Sequence, residues 1–507
     1  MPSVTRALPA LLACAYAAAF SPCPLIGAYY PPPTITEDVA AGLSRGYRAS
    51  FDSLVQRGGS DKYGDISPNT TSFAVVYFAG ATNQTIFEYH HTAHNVSSAV
   101  DSDTRFPLAD VTMVFTVYSW LALMGEQWDA PITKFLPELA HEQALPWKDV
   151  TVGSLAGHMS GLPRHAPDAP RGCGRPLHGI ADQRPVFLPD TTPMVSYAAF
   201  QVLAAAMERS KSKGFDSLLR SSILAPLGMA RSDLQESNVF PAQGYHAPHC
   251  EPAALSMVST AGDLARAGKA ILSSRLLPSA VTRRWLHANA DTSNLRNGVG
   301  RPWEVYRAGA NATSPILDVF TKSGARGPYA SYFGLVPALD AGFAILAHDA
   351  TTARDGALDL NVYADVASDA LESLLGLAAK QSAVRFGGTY GADGGRLVLT
   401  QGAAPGLEVR EFMLDGVDMR TAAARQLGIV PRDLDYRLYP TNVKDARNHQ
   451  FVAVFQDRAA AVDMGTPTCI TWQSVDAPPR HFVFELSDGT ATGVVLGQTR
   501  LSRERHP

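Results

Sequence analysis

The sequence predicts an α/β (α+β) protein, built from an antiparallel sheet flanked by helices, a helical lobe and a C-terminal antiparallel β module. Three observations predict this class. Two apolar segments, "TSFAVVYFAG" and "TIFEYHH", are joined by a Gly-Ala-Thr-Asn turn, as in a β-hairpin. Helical periodicity precedes and follows this hairpin. A second set of alternating segments fills the chain after Lys380.

The elements of the first part follow in order along the chain. Residues 37–57 have apolar side chains at helical spacing, and residues 110–125 are apolar and helical. Short helices with Pro-rich loops continue to about residue 280. From residue 318, "FTKSG", "ASYFGLVPA" and "AGFAILAHD" predict short strands, and a helix is predicted over 356–380.

The pattern of apolar and polar residues changes after Lys380. "GGTYG", "RLVLTQG", "LEVREFMLDG", "HFVFELSDG" and "TGVVLG" alternate apolar and polar residues between Gly and Asp turns, which predicts an antiparallel β module. We predict these segments along the chain: a signal peptide at 1–19, a linker at 20–36, a first domain at 37–380 and a β-rich domain at 381–507.

Composition excludes some functions. The chain has 507 residues, 46% of them hydrophobic, and a net charge of −4. Such a chain can bury a large core, and it carries no basic run of the kind that binds nucleic acid. No cofactor and no metal site are expected: His90, His91 and His94 alternate between the two faces of a strand, and no set of carboxylates accompanies them.

The N-terminus predicts secretion. Arg6 precedes the apolar segment "ALPALLACAYAAAF", and the "AAA" at 17–19 resembles a cleavage site for signal peptidase. An uncleaved anchor is the alternative, because the uncharged stretch reaches Tyr30. Prolines at 22 and 24 interrupt that stretch and favour cleavage, after which no membrane attachment is expected.

Two further features are typical of a secreted protein. Glycosylation sequons begin at four asparagines: Asn69, Asn83, Asn95 and Asn311. Outside the predicted signal peptide the chain has four cysteines, which allow three pairings. We expect Cys173 and Cys250 to form a disulfide, because both lie in loop-like segments of one domain; free buried thiols are the alternative.

Several motifs together carry a family resemblance. "WKDVTVGSLAGHMSGLPRH" (147–165), "ILAPLGMARSDL" (223–234) and "STAGDLARAGKAIL" (259–272) resemble, in this order, the serine β-lactamase and penicillin-binding-protein superfamily. The similarity is greatest to its class-C-like esterase branch, in the secreted form common in fungi. The resemblance implies a β-lactamase/transpeptidase-like fold, and "FGGTY" (386–390) resembles the β-barrel appendage of many such proteins.

The resemblance also implies a mechanism. The family transfers acyl groups with a Ser-x-x-Lys helix, a Tyr-x-Asn motif and a Lys-Thr-Gly-like strand. In this chain "FPLADVTMVFT" places Asp110 at the serine and Met113 at the lysine. "PVFLPDTTPMVSYAAFQVL" places Val195 at the tyrosine and Tyr197 at the asparagine, with Ser196 between them. A slip of one or two residues would put Tyr197 in the tyrosine role.

The third motif is retained as Lys322, Ser323 and Gly324. The acyl-transfer machinery is therefore incomplete, because neither Asp nor Met replaces a nucleophilic serine and its lysine. One interpretation makes Asp110 a helix N-cap that Lys322 neutralises. The other makes Asp110 a general acid or base with Lys322 and Tyr197 nearby, while Ser196, Ser323 and Gly324 contact the substrate.

We therefore expect a small-molecule ligand, and the resemblance implies a natural product of fungal secondary metabolism. It would be bound, or converted by acid/base chemistry, without an acyl-enzyme. The alternatives are a non-catalytic protein with a binding or scaffolding role, and a residual esterase that uses another residue. Ser210 and Lys213 have Ser-x-x-Lys spacing, but they lie at the polar end of a predicted helix. The sequence does not indicate the oligomeric state.

Overall fold

The computed structural model describes most of the chain. The described residues are 28–94, 96–141, 146–165, 176–234, 239–241, 251–294, 296–309, 316–351, 358–402, 404–459 and 481–504. The predicted signal peptide and all of the cysteines lie outside these residues, as do Asn95 and Asn311. The expected disulfide between Cys173 and Cys250 therefore lies outside the described residues.

The chain forms two compact units. The first, called here the N-terminal unit, comprises residues 31–309 and 316–381. The second, the C-terminal unit, comprises the described residues from Ser382 onward together with residues 28–30. The division between residues 381 and 382 falls within one helix, which runs from Asn361 to Phe386.

The N-terminal unit is an α+β structure. Its helices are α1 (Glu37–Arg57), α2 (Thr112–Met124), α3 (Val152–Ala156), α4 (Pro176–Ala181), α5 (Tyr197–Lys211), α6 (Phe215–Leu219), α7 (Ala225–Leu227), α8 (Pro252–Leu255), α9 (Ala261–Leu272), α10 (Ser279–Trp285) and α11 (Asn361–Phe386). Its strands are β1 (Gly59–Ser60), β2 (Gly64–Asp65), β3 (Thr71–Ala79), β4 (Thr85–His91), β5 (Phe106–Pro107), β6 (Val258–Ser259), β7 (Ala290–Asp291), β8 (Asn297–Val299), β9 (Glu304–Ala308), β10 (Leu317–Arg326), β11 (Tyr329–Val336) and β12 (Ala341–Asp349).

Local sequence explains helix α1, the first helix of the N-terminal unit. Thr36 caps α1 by accepting a hydrogen bond from the Val39 amide at 3.4 Å, and acidic residues occupy the first turn. Gly58 ends the helix with a φ of +69°, a left-handed conformation that glycine adopts without strain. The helix predicted over 37–57 is confirmed at both ends.

An antiparallel sheet divides the N-terminal unit into two cores. Within the described residues its strand order is β4-β3-β12-β11-β10-β9-β8-β7. All nine residues of β3 are buried, because successive side chains point to opposite faces and both faces are covered. Ala74, Val76 and Phe78 join a core with α2 and α5, whereas Phe73 and Val75 join a core with α1 and α11.

The C-terminal unit is a β-barrel with one short helix. Its elements are β13 (Gly388–Ala392), β14 (Gly395–Gln401), β15 (Leu407–Leu414), β16 (Val417–Asp418), α12 (Met419–Leu427), β17 (Leu434–Lys444), β18 (Asn448–Asp457), β19 (His481–Ser487), β20 (Thr490–Leu496) and β21 (Thr499–Arg503). The described strands follow the order β14-β13-β21-β20-β19-β18-β17-β15-β16, and a further pairing of β14 with β15 closes the ring.

The α+β fold class with a C-terminal antiparallel β module is confirmed. The segment predicted as a linker gives a different result: within residues 28–36, Tyr29, Tyr30 and Ile35 are buried. The ring of Tyr29 packs edge-on against Tyr439 of the C-terminal unit, with 5.8 Å between centroids. None of the helices in the described part of the chain has the length and apolarity needed to cross a membrane.

Candidate functional site

Asp110 lies on a single 3₁₀ turn, Ala109–Val111, between strand β5 and helix α2. Its residue exposure is 8%, so the carboxylate is largely shielded from water. Ala109 has a φ of +45°, a left-handed conformation that costs a residue with a Cβ about 1–2 kcal/mol. The backbone is thus strained immediately before Asp110.

Strands β10 and β11 hold this turn in place. A Cβ at Gly324 would lie 2.4 Å from the Leu108 oxygen and 2.8 Å from the Asp110 nitrogen. Only glycine allows the two backbones to approach this closely. The buried Ser331 hydroxyl donates to the same Leu108 oxygen at 2.6 Å. The retained Gly324 therefore shapes the pocket through the main chain.

The carboxylate of Asp110 interacts electrostatically with the hydroxyl of Tyr197, the first residue of α5. Arg164 donates to the Tyr197 hydroxyl oxygen at 2.6 Å, and its guanidinium lies 4.9 Å from the centre of the same ring. Burial, and then the charge of Asp110, raises the pKa of Tyr197 to about 12. The phenol therefore stays protonated at neutral pH. The hydrogen bond from Arg164 and the electrostatic interaction with Asp110 meet at the Tyr197 hydroxyl.

Ser196 has a structural position next to Tyr197. It is the N-cap of α5: its hydroxyl accepts from the Ala199 amide at 3.1 Å and donates to the Pro163 oxygen at 2.7 Å. The N-cap role considered for Asp110 is not what the structure shows, because Val111 precedes α2 and no side chain caps that helix. Asp110 interacts with Tyr197 instead.

Lys322 has a partner other than the expected one. We expected an ion pair with Asp110, but the Lys322 ammonium pairs with Glu304 on the neighbouring strand β9. The Glu304 carboxylate also accepts from the Ser323 amide at 2.9 Å and from its hydroxyl at 2.8 Å. Burial is the largest single effect and raises the pKa of Glu304, but the charge of Lys322 and the hydrogen bonds from Lys322 and Ser323 together outweigh it and lower that pKa. Lys322, Ser323 and Glu304 thus form one neutralised cluster.

His158, which we assigned a structural role, lies close to this cluster. Its Nε2 is 3.0 Å from the Pro302 oxygen, and the residue is 3% exposed. Burial, followed by the charge of Lys322, lowers the pKa of His158 to about 4. The imidazole is therefore neutral at physiological pH, and Nε2–H donates to the Pro302 carbonyl.

Met113 and Val195 are the residues that the motif alignment assigns to the lysine and tyrosine positions of the family. Met113 is fully buried in the core, and the partly buried Val195 packs against that core. Neither side chain accepts a proton. The polar groups at this end of the unit are instead those around Tyr197.

A pair of polar residues that the motifs do not predict, His165 and Glu251, lies next to Tyr197. The Nδ1 atom of His165 lies 3.1 Å from one Glu251 oxygen and 3.3 Å from the other. The imidazole packs edge-on against the Tyr197 ring, with 5.0 Å between centroids. His165 is the last residue of the motif "SGLPRH", so the motif alone could have marked its position. Glu251 is 86 residues away, and no sequence pattern joins it to His165.

No metal centre emerges from the side chains in the described ranges, where no group of three or more His, Cys, Asp or Glu could hold an ion. Of the four sequon asparagines, the two described ones are both exposed: Asn69 and Asn83. Glycosylation stays a prediction at these positions.

The sequence profile described as "Beta-lactamase" matches residues 71–368, more than half of the chain. The chain belongs to the beta-lactamase family. A second profile, "Beta-lactamase-like-like, C-terminal domain", matches residues 378–506 of this beta-lactamase family member. The family resemblance that the sequence motifs predict is confirmed.

Two curated relatives share parts of the sequence. A "Beta-lactamase-like protein" of Arthroderma benhamiae is 25% identical over 358 residues, 59% of this chain and 58% of the relative. The D-alanyl-D-alanine-carboxypeptidase/endopeptidase AmpH of Escherichia coli K12 is 27% identical over 197 residues, 33% of this chain and 47% of the relative. The beta-lactamase family member thus spans about half the length of these two proteins.

Solved structures agree on the fold. A class C beta-lactamase superposes with a TM-score of 0.52 at 16% identity, over 66% of this chain and 97% of that one. A mutant of a class C beta-lactamase gives a TM-score of 0.51 at 16% identity, over 66% and 98% of the two chains. At this level of identity the likeness shows the beta-lactamase fold alone.

Proposed function

We propose that this beta-lactamase family member binds or converts a small molecule at Asp110 without forming an acyl-enzyme. The observation that supports the proposal is the interaction of the shielded Asp110 with Tyr197, at the turn that the motif alignment assigns to the family's nucleophile. A carboxylate is a poor nucleophile toward esters and lactams, but it accepts and returns protons readily. The buried Met113 and the partly buried Val195 carry no group that accepts a proton. They therefore cannot activate a nucleophile at this turn.

The polar groups around Asp110 support acid/base chemistry. Tyr197 supplies a protonated hydroxyl, and Arg164 supplies a permanent positive charge. A carboxylate has about four acceptor positions, so Asp110 can hold a ligand proton in addition to its interaction with Tyr197. Lys322 contributes no uncompensated charge to this chemistry, because Glu304 neutralises it.

A second candidate function is binding without turnover. The packing of Met113 and Val195 in apolar surroundings favours it, since these residues replace chemistry-bearing groups with core contacts. The proposal of a fungal natural product as the ligand rests on the family resemblance. Entry into the secretory pathway likewise rests on the N-terminal sequence and the sequons. N-terminal sequencing and removal of N-glycans from the purified protein test that entry.

The absence of an acyl-enzyme is tested by intact-mass measurement after exposure to a fluorophosphonate and, separately, to 4-nitrophenyl acetate. We expect no adduct under conditions that label a class C beta-lactamase completely. A stoichiometric adduct on this chain would overturn the proposal, and peptide mapping would identify the reacting residue.

Asp110→Asn tests the role of the carboxylate. The amide keeps the size of the side chain and an acceptor for Tyr197, but it holds no proton to exchange. Metabolites that accumulate after deletion of the gene are the substrates to test. For any that the unaltered protein converts, we expect the Asp110→Asn variant to have a rate at least a hundredfold lower. Turnover that persists in Asp110→Asn would contradict the assignment, whereas binding without turnover in the unaltered protein would favour the second candidate.

A further inference from the structure

His165 and Glu251 form a pair with the geometry of an oriented base. The Glu251 side chain is 3% exposed, whereas the His165 side chain is 53% exposed. A buried carboxylate therefore holds an imidazole that solvent and ligands can reach. The contact of the imidazole with Tyr197 places it beside the residue that interacts with Asp110.

The hydrogen bond to Glu251 fixes which nitrogen of His165 is basic. A carboxylate only accepts hydrogen bonds, so Nδ1 of the neutral imidazole carries the proton and donates it to Glu251. Nε2 then carries the free lone pair. Across the described residues, no hydrogen bond to Nε2 is present to occupy it. This tautomer is the one that a general base needs.

We propose that His165, held by Glu251, is a second proton-transfer group beside Asp110 and Tyr197, and that its substrate is a carbonyl compound with an acidic C–H bond. This proposal rests on the proposed function. Among the described residues, Glu251 and Tyr197 contact the imidazole, and Arg164 and Asp110 interact with the same Tyr197. Arg164 is exposed, and one of its five N–H groups donates to Tyr197. Other N–H groups of the guanidinium can donate to the carbonyl oxygen of the substrate.

The proton transfer balances within the site. Nε2 of His165 takes the proton next to the carbonyl group, and the electrons of the C–H bond form an enolate whose oxygen Arg164 stabilises. The imidazolium is balanced by the Glu251 carboxylate. His165 then returns the proton to the ligand, at the same carbon or at another position of the enolate. The net reaction is exchange or isomerisation, and it needs no co-reactant.

Exchange of the methyl protons of pyruvate in D2O tests the proposal with the full-length protein. Pyruvate has a carbonyl group and an exchangeable C–H bond, and proton NMR follows the loss of its methyl signal. We expect exchange faster than in buffer that contains an equal concentration of free imidazole. His165→Gln lowers the enzyme-dependent rate at least hundredfold. His287→Gln, which alters an exposed histidine outside this pair, leaves the rate unchanged.

Glu251→Gln separates catalysis from packing. The amide still accepts from Nδ1, so nitrogen NMR of the labelled histidine shows the same tautomer, but the charge that balances the imidazolium is gone. We expect exchange to fall about tenfold with the tautomer unchanged. Wild-type exchange no faster than free imidazole, or full exchange in His165→Gln, overturns the proposal. If Asp110→Asn loses exchange and His165→Gln keeps it, the proposed function of Asp110 stands and only the role of His165 is refuted.

Discussion

Lys322 is one of the residues whose role changes most between sequence and structure. The motif predicts that it faces the ligand site, yet its side chain is 2% exposed and its charge is spent on Glu304. Strand pairing explains this, because Thr321 lies opposite Glu304 and brings Lys322 next to it. No motif marks Glu304, so the pair could not be read from the sequence.

Glu304→Gln is expected to destabilise the protein by about 2 kcal/mol, because it leaves the buried Lys322 ammonium without its counter-charge. The cost lies below that of a fully buried pair, since Glu304 is partly exposed. Urea unfolding measures it. The double variant Lys322→Met, Glu304→Gln is expected to recover part of the loss. If the two substitutions were simply additive, the interaction would contribute nothing.

Gly324→Ala is expected to cost about 1–3 kcal/mol, because its Cβ would collide with the backbone at Leu108 and Asp110. The control is Gly376→Ala, on α11, where a Cβ would meet no atom within 4 Å. That change is expected to stabilise the helix by up to about 1 kcal/mol. Equal unfolding midpoints for the two variants would show that the turn does not need the close approach.

At the scale of single elements, α5 positions Tyr197 through its first residues. Ser196 both caps the helix and bonds to the loop that carries Arg164. The helix therefore begins at a fixed place relative to that loop. This gives Ser196 a structural explanation that does not depend on a ligand.

Ser196→Ala is expected to lower the free energy of unfolding by about 1–2 kcal/mol, because the Ala199 amide loses its cap. Ser210→Ala, at the other end of α5, serves as the control. Its hydroxyl bonds only to Ala206 of the same helix, and alanine is the better helix former, so the stability stays within about 0.5 kcal/mol. A stable Ser196→Ala protein that binds pyruvate less well would point back to substrate contact.

Sequence patterns predicted the elements with strong periodicity. The hairpin of β3 and β4, helix α1 and strands β10 to β12 follow the predicted segments closely. Strand β17 was missed because Pro440 interrupts its pattern, and the register of its pairing with β18 shifts after that proline. Asp110 and Tyr197 were predicted from motif alignment. His165 and Glu251 were not, because their contact depends on how distant loops fold.

At the scale of the whole molecule, each unit contains a buried histidine that resists protonation. His158 lies in the N-terminal unit and His449 in the C-terminal unit, and burial lowers the pKa of each to about 4. In the unfolded chain both titrate near 6.5. The unfolded state therefore binds more protons between these values. Each histidine contributes stability that is full above about pH 6.5 and is lost as the pH falls to about 4.

The free energy of unfolding is expected to fall by about 2–3 kcal/mol for each histidine between pH 7.5 and pH 4.5. His158→Gln and His449→Gln each remove one such contribution, in different units. Urea unfolding at both pH values, in each variant and in the double variant, measures the difference. A pH dependence identical to that of the unaltered protein in all variants would contradict the predicted protonation states.

The contact at Gly324 has an evolutionary consequence. It joins two stretches of main chain, so the frame of the pocket passes from ancestor to descendant without depending on the side chains that do chemistry. A substitution of the Asp110 side chain leaves this main-chain contact in place. The chemistry at position 110 can therefore change while the turn that carries it keeps its shape.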